Sequence, residues 1–254
     1  MIKTTLPIKY WNNNNTINIS PEDENGRKIE VAYFSGVQFV GHSIHYPQPL
    51  LYTNNNLILP TKEKFMSLGR GTVYEDTMMY DIKLKNIESV HDDFVYYFVY
   101  NTSNYFHFIY DTLPYLYGYF NQKNYISNLK LLVSPPEGKE DLYPFVWDTL
   151  ELLGITRDDV VFLDDKVKYE IVIVGSSLTH DGLSDAPPHK GIYDIINRMR
   201  GYYEGVEKIY ISRRSWIHNN KENIGTDYTE KRRCINEDDV VSIFKQRGFK
   251  EIFC

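Results

Sequence analysis

Three polar side chains at helical spacing are the first candidates for chemistry. Asn104, His107 and Asp111 stand at positions i, i+3 and i+7 of a segment rich in aromatic residues. At about 100° per residue they fall within an arc of roughly 60°, so a helix presents them as one polar stripe. A His–Asp pair one turn apart orients the imidazole and raises its basicity, as general-base catalysis requires. The alternative is a capped, partly exposed helix face with Asn104 at its start.

A second candidate is a basic segment at the end of a short apolar strand. Ser212, Arg213 and Arg214 close the strand expected at 207–214, and further cations stand at 231–233. In open α/β sheets, ligands bind beyond the carboxyl ends of strands, and the planar guanidinium group suits phosphate. The alternative is a solvated basic loop. The segment lacks the Gly-rich spacing of a Walker or dinucleotide-binding loop.

Metal and disulfide chemistry have little support. His42 and His45 lie in a β/loop region with no cysteine or carboxylate near them in sequence, so we predict no metal site. Cys234 and Cys254 are too few for a disulfide scaffold or a Cys-rich zinc site.

The elements that must position these residues alternate between strands and helices. We predict helices at 104–120, 141–154 and 192–203, and strands at 92–101, 128–134, 158–164 and 169–177. Because parallel neighbours need helical crossovers, we expect the first, second and fourth of these strands to be adjacent in one mainly parallel sheet. The first two helices should pack on that sheet. The fold class is therefore α/β, with Rossmann-like layering.

The same pattern divides the chain into three parts. Residues 1–27 are polar and typical of a loop or a frayed start. Residues 28–204 form an α/β domain whose first portion, to residue 83, is β-like. Residues 205–254 form the beginning of a second Rossmann-like domain, with a strand, a helix at 236–248 and the start of another strand. Asn236 can cap that helix and Gly248 ends it.

Composition narrows the classes of protein. The chain has 254 residues, of which 42% are hydrophobic and 24% charged, with a net charge of −6. This acidic balance excludes a generally basic nucleic-acid coat, and we predict no nucleic-acid partner. No apolar stretch approaches the roughly 20 residues that span a bilayer, and the start has no signal-peptide core. We therefore expect a soluble, cytoplasmic protein. The 22 tyrosines suit a carbohydrate or nucleotide surface, or reflect a biased genome composition.

Five motifs together resemble glycosyltransferase family 61. The first is the helix start with its acidic residue and Leu-Pro, and the second is an "LGI" turn. A K-I-Y-I-S-R strand, an Arg-rich segment before Asn-Glu, and a helix ending in Gly-Phe follow in the family's order. In this chain they are Asn104–Phe108 with Asp111 and Leu113-Pro114, Leu153–Ile155, Lys208–Arg213, Arg232-Arg233 with Asn236-Glu237, and Gly248-Phe249.

The resemblance implies a GT-B arrangement of two Rossmann-like domains. It implies inverting transfer of a sugar from a nucleotide-sugar donor to a hydroxyl of a glycan or protein acceptor, without a bound metal or other cofactor. The acceptor proton would go to His107 or Asp111. The diphosphate would be held by Arg213, by Arg214 or Arg233, and by the adjacent Ser212. Residues 28–204 would be the acceptor side and residues 205–254 the start of the donor side.

The resemblance also defines a competing function. Family members continue into a Glu-Gln helix and a His-Gly-Ala-Gly-Leu loop at the nucleotide-sugar site, and the sequence ends before either motif. We therefore expect the 254-residue chain alone to bind a nucleoside diphosphate weakly or not at all, and to transfer no sugar. The alternative function is a non-catalytic carbohydrate- or nucleotide-binding module, or a subunit completed by a partner. The sequence leaves a homo-oligomer open.

Overall fold

The chain divides into two compact units, Met1–Arg200 and Gly201–Cys254. The structure is a computed structural model. It describes residues 4–10, 16–24, 26–40, 50–53, 56–59, 77–80, 85–136, 138–179, 188–200, 208–212 and 236–253. Among these residues, no helix has the length and apolar character needed to cross a membrane.

Ten strands of the first unit form one sheet. In chain order they are β1 (Thr4–Tyr10), β2 (Thr16–Asn18), β3 (Glu30–Val40), β4 (Leu50–Thr53), β5 (Asn56–Leu59), β6 (Thr77–Tyr80), β7 (Ser89–Tyr97), β8 (Lys130–Val133), β9 (Val160–Phe162) and β10 (Val167–Gly175). The order across the sheet is β6-β1-β5-β4-β3-β10-β7-β8-β9, and β2 pairs with β3.

The part of this sheet that carries the predicted site is parallel. β10 pairs in parallel with β7, β7 with β8, and β8 with β9. The predicted adjacency of the strands near 92–101, 128–134 and 169–177 is therefore confirmed. Val172, Ile173 and Val174 of β10 are fully buried, as expected for a parallel strand that is covered on both faces.

The other half of the sheet corrects the prediction for residues 1–27. These residues were expected to be loop or a frayed start, but they contain β1 and β2. β1 pairs in parallel with β5 and antiparallel with β6, and β2 pairs antiparallel with β3. Strands distant in sequence supply the hydrogen-bond partners of β1 and β2. The local composition of residues 1–27 therefore does not reveal these two strands.

The helices of the first unit connect the parallel strands. A helical segment at 105–123 links β7 to β8; it comprises α1 (Tyr105–His107), a π turn (Phe108–Thr112), a 3₁₀ turn (Leu113–Tyr115) and α2 (Leu116–Lys123). α3 (Pro144–Leu152) links β8 to β9, and α4 (Gly191–Arg200) follows β10. Pro144 suits the first turn of α3, and Gly154, at a φ of 77°, ends it as predicted.

The second unit contains a small sheet and one helix among its described residues. β11 (Ile209–Ser212) pairs in parallel with β12 (Lys250–Phe253), and α5 (Glu237–Gln246) lies between them in the chain. Gly248, at a φ of 81°, follows the end of the helix as predicted. Asn236 occupies the N-cap position, but its side chain makes no capping hydrogen bond, in contrast to the prediction.

Candidate functional site

The loop after β7 builds the start of the 105–123 helix from its own polar side chains. The Asn101 side-chain oxygen accepts hydrogen bonds from the backbone N–H groups of Ser103 and Asn104, at 3.2 and 3.1 Å. The Thr112 hydroxyl donates to the backbone carbonyl of Asn101 at 2.9 Å. Asn104 is extended, and its side-chain oxygen accepts from the backbone N–H of His107 at 3.2 Å. Asn104 is therefore the N-cap of the helix.

His107 and Asp111 form a direct pair. His107 Nδ1 lies 2.6 Å from Asp111 Oδ2. When the carboxylate is ionised and the imidazole is neutral, Nδ1–H donates to Asp111 and the imidazole lone pair lies on Nε2. The side chain of His107 is 48% exposed, whereas that of Asp111 is 10% exposed. A nearly buried carboxylate therefore fixes the orientation of a ring that solvent and ligands can reach.

The helix is irregular where this pair lies. Instead of the single regular helix predicted for 104–120, the backbone forms a π turn at Phe108–Thr112, with the N–H of Leu113 bonded to the Phe108 carbonyl. Pro114 follows, and a proline has no N–H to donate to the residue four positions earlier. Such π turns occur frequently at functional sites. The sequence contains the proline, but the spacing argument treated the helix as ideal.

Strand order places the start of this helix at a distinctive edge of the sheet. From β7 the chain adds β8 and β9 on one side and then returns to place β10 on the other side of β7. The position between β7 and β10 is therefore a topological switch point of the sheet. The carboxyl ends of these two parallel strands lie at the same edge. Ligands bind to open α/β sheets in the crevice at such a switch point. The segment that carries Asn104, His107 and Asp111 begins at this edge.

A buried tyrosine fastens the helix to the sheet. Tyr96, near the end of β7, is fully buried and donates its hydroxyl to the Tyr115 carbonyl at 2.8 Å. Gly118 of α2 and Gly175 of β10 both lie against that hydroxyl, and a Cβ at either position would collide with it. Burial raises the pKa of Tyr96 well above 10, so it remains a neutral hydrogen-bond donor. The two glycines and this hydroxyl fix the helix that positions Asp111.

Aromatic rings surround the exposed face of His107. Tyr105 and Phe106 are each 63% exposed. Phe106 stacks on Tyr110 with 5.7 Å between ring centroids, and its centroid lies 5.5 Å from that of His107. An aromatic surface one helical turn wide therefore adjoins the His–Asp pair. Both aromatic residues directly precede His107 in the sequence, but helical periodicity alone does not tell an exposed ring from a buried one.

The predicted diphosphate contacts are largely outside the described residues. Ser212 is the last residue of β11 and is paired in register with Phe253. Arg213, Arg214 and Arg233 lie outside the described part of the chain. Their role in binding a diphosphate stays a prediction.

Two further groups were not found by sequence reasoning. A groove of about 500 Å³ lies between α2 and α4 and is lined by aromatic, amide and charged side chains. Its residues come from two separate helices, so no single stretch of sequence signals it. His189, just before α4, is 3% exposed, and its Nδ1 accepts the backbone N–H of Gly191 at 3.0 Å.

The His189 ring is electrostatically distinct. Burial lowers its pKa from the ordinary value of 6.5, so the ring favours the neutral form. With Nδ1 acting as acceptor, Nε2 carries the proton, and Nε2 has no hydrogen-bond partner among the described residues. No group of three or more His, Cys, Asp or Glu side chains with metal-binding geometry occurs in the described ranges.

Comparisons of the chain with protein-family models, with curated proteins and with solved structures find no match. The resemblance to glycosyltransferase family 61 therefore stays a prediction from the sequence motifs.

Proposed function

We propose that this chain provides the acceptor side of an inverting glycosyltransferase. The observation that carries the proposal is the 2.6 Å contact between His107 Nδ1 and Asp111 Oδ2, in which the carboxylate is nearly buried and the imidazole is accessible. A positioned base of this type is what attack by a sugar hydroxyl requires. The four other family motifs, which lie outside residues 104–114, support the same reaction class.

The reaction assigns one role to each member of the pair. His107 Nε2 takes the proton of the acceptor hydroxyl while its oxygen forms a bond to the anomeric carbon of the donor. The bond from that carbon to the diphosphate oxygen breaks, and the diphosphate leaves with both bonding electrons. Asp111 holds the Nδ1–H tautomer and stabilises the imidazolium that forms. Asn104 caps the helix and so maintains the position of His107.

The aromatic surface beside His107 supports a carbohydrate acceptor. A sugar ring presents an apolar face of C–H groups that packs on an aromatic ring, while its hydroxyls reach neighbouring polar groups. Phe106, stacked on Tyr110, offers such a face next to the imidazole. In this proposal the acceptor sugar packs on Phe106 and directs one hydroxyl to His107 Nε2.

The donor side of the proposal rests on the basic residues after β11. Arg213, with Arg214 or Arg233 and the adjacent Ser212, would neutralise the departing diphosphate. No metal is required if fixed positive charge performs this task. A nucleotide-sugar donor is therefore the expected co-substrate.

Site variants test the catalytic proposal. His107→Ala and Asp111→Asn are compared with the unmodified protein, each expressed from the complete reading frame and screened against the common nucleotide sugars and a set of glycan acceptors. Loss of a general base reduces turnover by about 10²–10⁴-fold, and we expect this for His107→Ala with an unchanged melting temperature. Tyr125→Ser is the matched control, because Tyr125 is 80% exposed and remote in sequence from the pair.

Two outcomes contradict the proposal. If His107→Ala keeps its turnover but loses several degrees in melting temperature, the pair is structural. If no nucleotide sugar is turned over while neutral oligosaccharides bind at Phe106 and Tyr110, the chain is a carbohydrate-binding module. The exposed aromatic surface is the observation that favours this second function.

A further inference from the structure

The groove between α2 and α4 is a second candidate binding site on the first unit. Tyr117 and Phe120 from α2 provide aromatic surface, and Asn124 follows the end of that helix. Asp194, Asn197 and Arg198 of α4 provide charged and amide groups. The volume of about 500 Å³ falls within the range that small-molecule sites usually occupy.

The polar side chains of this groove do not form hydrogen bonds or ion pairs with one another. Among the described residues, the side chains of Asn124, Asp194 and Asn197 make no hydrogen bond or ion pair. Arg198 places its guanidinium carbon 4.4 Å from the centroid of the Phe120 ring, and its N–H edge has no described acceptor. A stacked guanidinium keeps its donors in the plane of the group, where a ligand can reach them.

The chemistry of the lining selects the class of ligand. A carboxylate accepts two hydrogen bonds, an amide both donates and accepts, and a guanidinium only donates. Adjacent hydroxyls of a sugar ring, which both donate and accept, match this combination. The charges of Asp194 and Arg198 cancel, so the groove has no net attraction for a phosphate or another polyanion. Burial and the nearby Asp194 carboxylate raise the pKa of Tyr117, which keeps its phenol neutral.

We propose that the groove between α2 and α4 is a binding site for a neutral saccharide. The sugar face packs on Tyr117, beside the Phe120 ring that Arg198 covers, and the hydroxyls bond to Asp194, Asn197 and Arg198. His107 and Asp111 do not line the groove, and neither do Phe106 and Tyr110. The groove therefore has a lining of its own, and the inference does not depend on catalysis at the His107–Asp111 pair.

Nuclear magnetic resonance of the full ¹⁵N-labelled chain tests the proposal. The probes are neutral trisaccharides of gluco, manno, galacto and xylo configuration, with inorganic phosphate and uridine diphosphate as anionic probes. We expect at least one trisaccharide to shift the side-chain amide signals of Asn124 and Asn197, and both anions to leave them unchanged. Asn197→Ala and Asp194→Ala should each weaken that binding by about tenfold, because each substitution removes the hydrogen bonds that one side chain makes to the sugar.

Two further variants separate this site from the other one. Tyr193→Ser is the matched control on the same helix, because Tyr193 is 62% exposed and is absent from the groove lining. It should bind the trisaccharide normally, and so should His107→Ala. The proposal is overturned if no trisaccharide binds, if binding survives in both groove variants, if the shifts lie only around Phe106 and Tyr110, or if an anion binds the groove in preference. A failure of sugar transfer with intact groove binding would overturn the transferase proposal alone.

Discussion

Replacing Gly175 by alanine should destabilise the first unit through a single collision with the Tyr96 hydroxyl. A Cβ at Gly175 would lie far inside van der Waals contact of Tyr96 Oη and 3.1 Å from Cζ. Tyr96 is fully buried, so its ring has no free space to enter. Overpacking of this type costs about 1–3 kcal/mol. A displaced ring also gives up its hydrogen bond to the buried Tyr115 carbonyl, at about 1–3 kcal/mol, so the total is about 2–6 kcal/mol.

A double-mutant cycle identifies the cause. Tyr96→Phe removes the hydroxyl and its hydrogen bond to the Tyr115 carbonyl, which keeps its bond within α2, and should cost about 0.5–1.5 kcal/mol. In the Gly175→Ala, Tyr96→Phe double variant there is no hydroxyl for the alanine Cβ to collide with. Each single variant also loses the same hydrogen bond to the Tyr115 carbonyl, so the sum of the single effects includes that loss twice. The double variant should therefore be more stable than the sum of the single effects predicts, by about 1–3 kcal/mol.

Urea unfolding followed by circular dichroism measures all four members of the cycle. Tyr125→Phe, at an 80% exposed position, should leave the free energy of unfolding unchanged and serves as the control for loss of a phenol. Additive effects of Gly175→Ala and Tyr96→Phe would refute the reasoning, because they would mean that the two residues do not meet. A stabilising Gly175→Ala would refute it as well.

Substitutions at three further positions, Asn104, Gly154 and His189, test other parts of the first unit. Asn104→Ala should lower the free energy of unfolding by about 1 kcal/mol through loss of the N-cap, whereas Asn104→Ser should keep most of it, as urea titrations will show. Gly154→Ala should cost about 1 kcal/mol in the same assay, because its φ of 77° disfavours any side chain. If Gly154→Ala is neutral, the left-handed turn is not required. Burial lowers the pKa of His189 in the folded state. Below about pH 6.5 the unfolded chain therefore binds a proton at His189 more readily than the folded chain does, and the free energy of unfolding decreases as the pH is lowered. His189→Asn, whose amide oxygen can still accept the Gly191 N–H, should show a smaller fall in melting temperature from pH 7 to pH 5, and an equal fall would contradict that assignment.

The alternation of elements could be predicted from the sequence because it depends on local residue patterns. Apolar runs, rich in β-branched or aromatic residues in β7 and β10 and in leucine in β8, marked these three strands, and the glycines at 154 and 248 marked the ends of helices. The parallel pairing of these strands followed from the helices between them, since parallel neighbours need a crossover. The proximity of His107 and Asp111 followed from their spacing of four residues on one helix.

The strands at the N-terminus could not be predicted in this way. β1 contains a proline and β2 has only three residues, and both strands exist because β5, β6 and β3 provide backbone partners from elsewhere in the chain. Hydrogen bonding between segments distant in sequence leaves no periodicity within either segment. A strand of this type is visible only once the sheet is assembled.

The sequence by itself determined that one helical segment presents His107 and Asp111 together. The tertiary structure decided what surrounds them. It left Tyr105 and Phe106 exposed, formed the π turn next to Pro114, and brought α2 and α4 together around a groove. Local spacing sets the contacts that residues make within one helix. Exposure and grooves depend on which other elements pack against that helix, and this is fixed only by the long-range contacts of the folded chain.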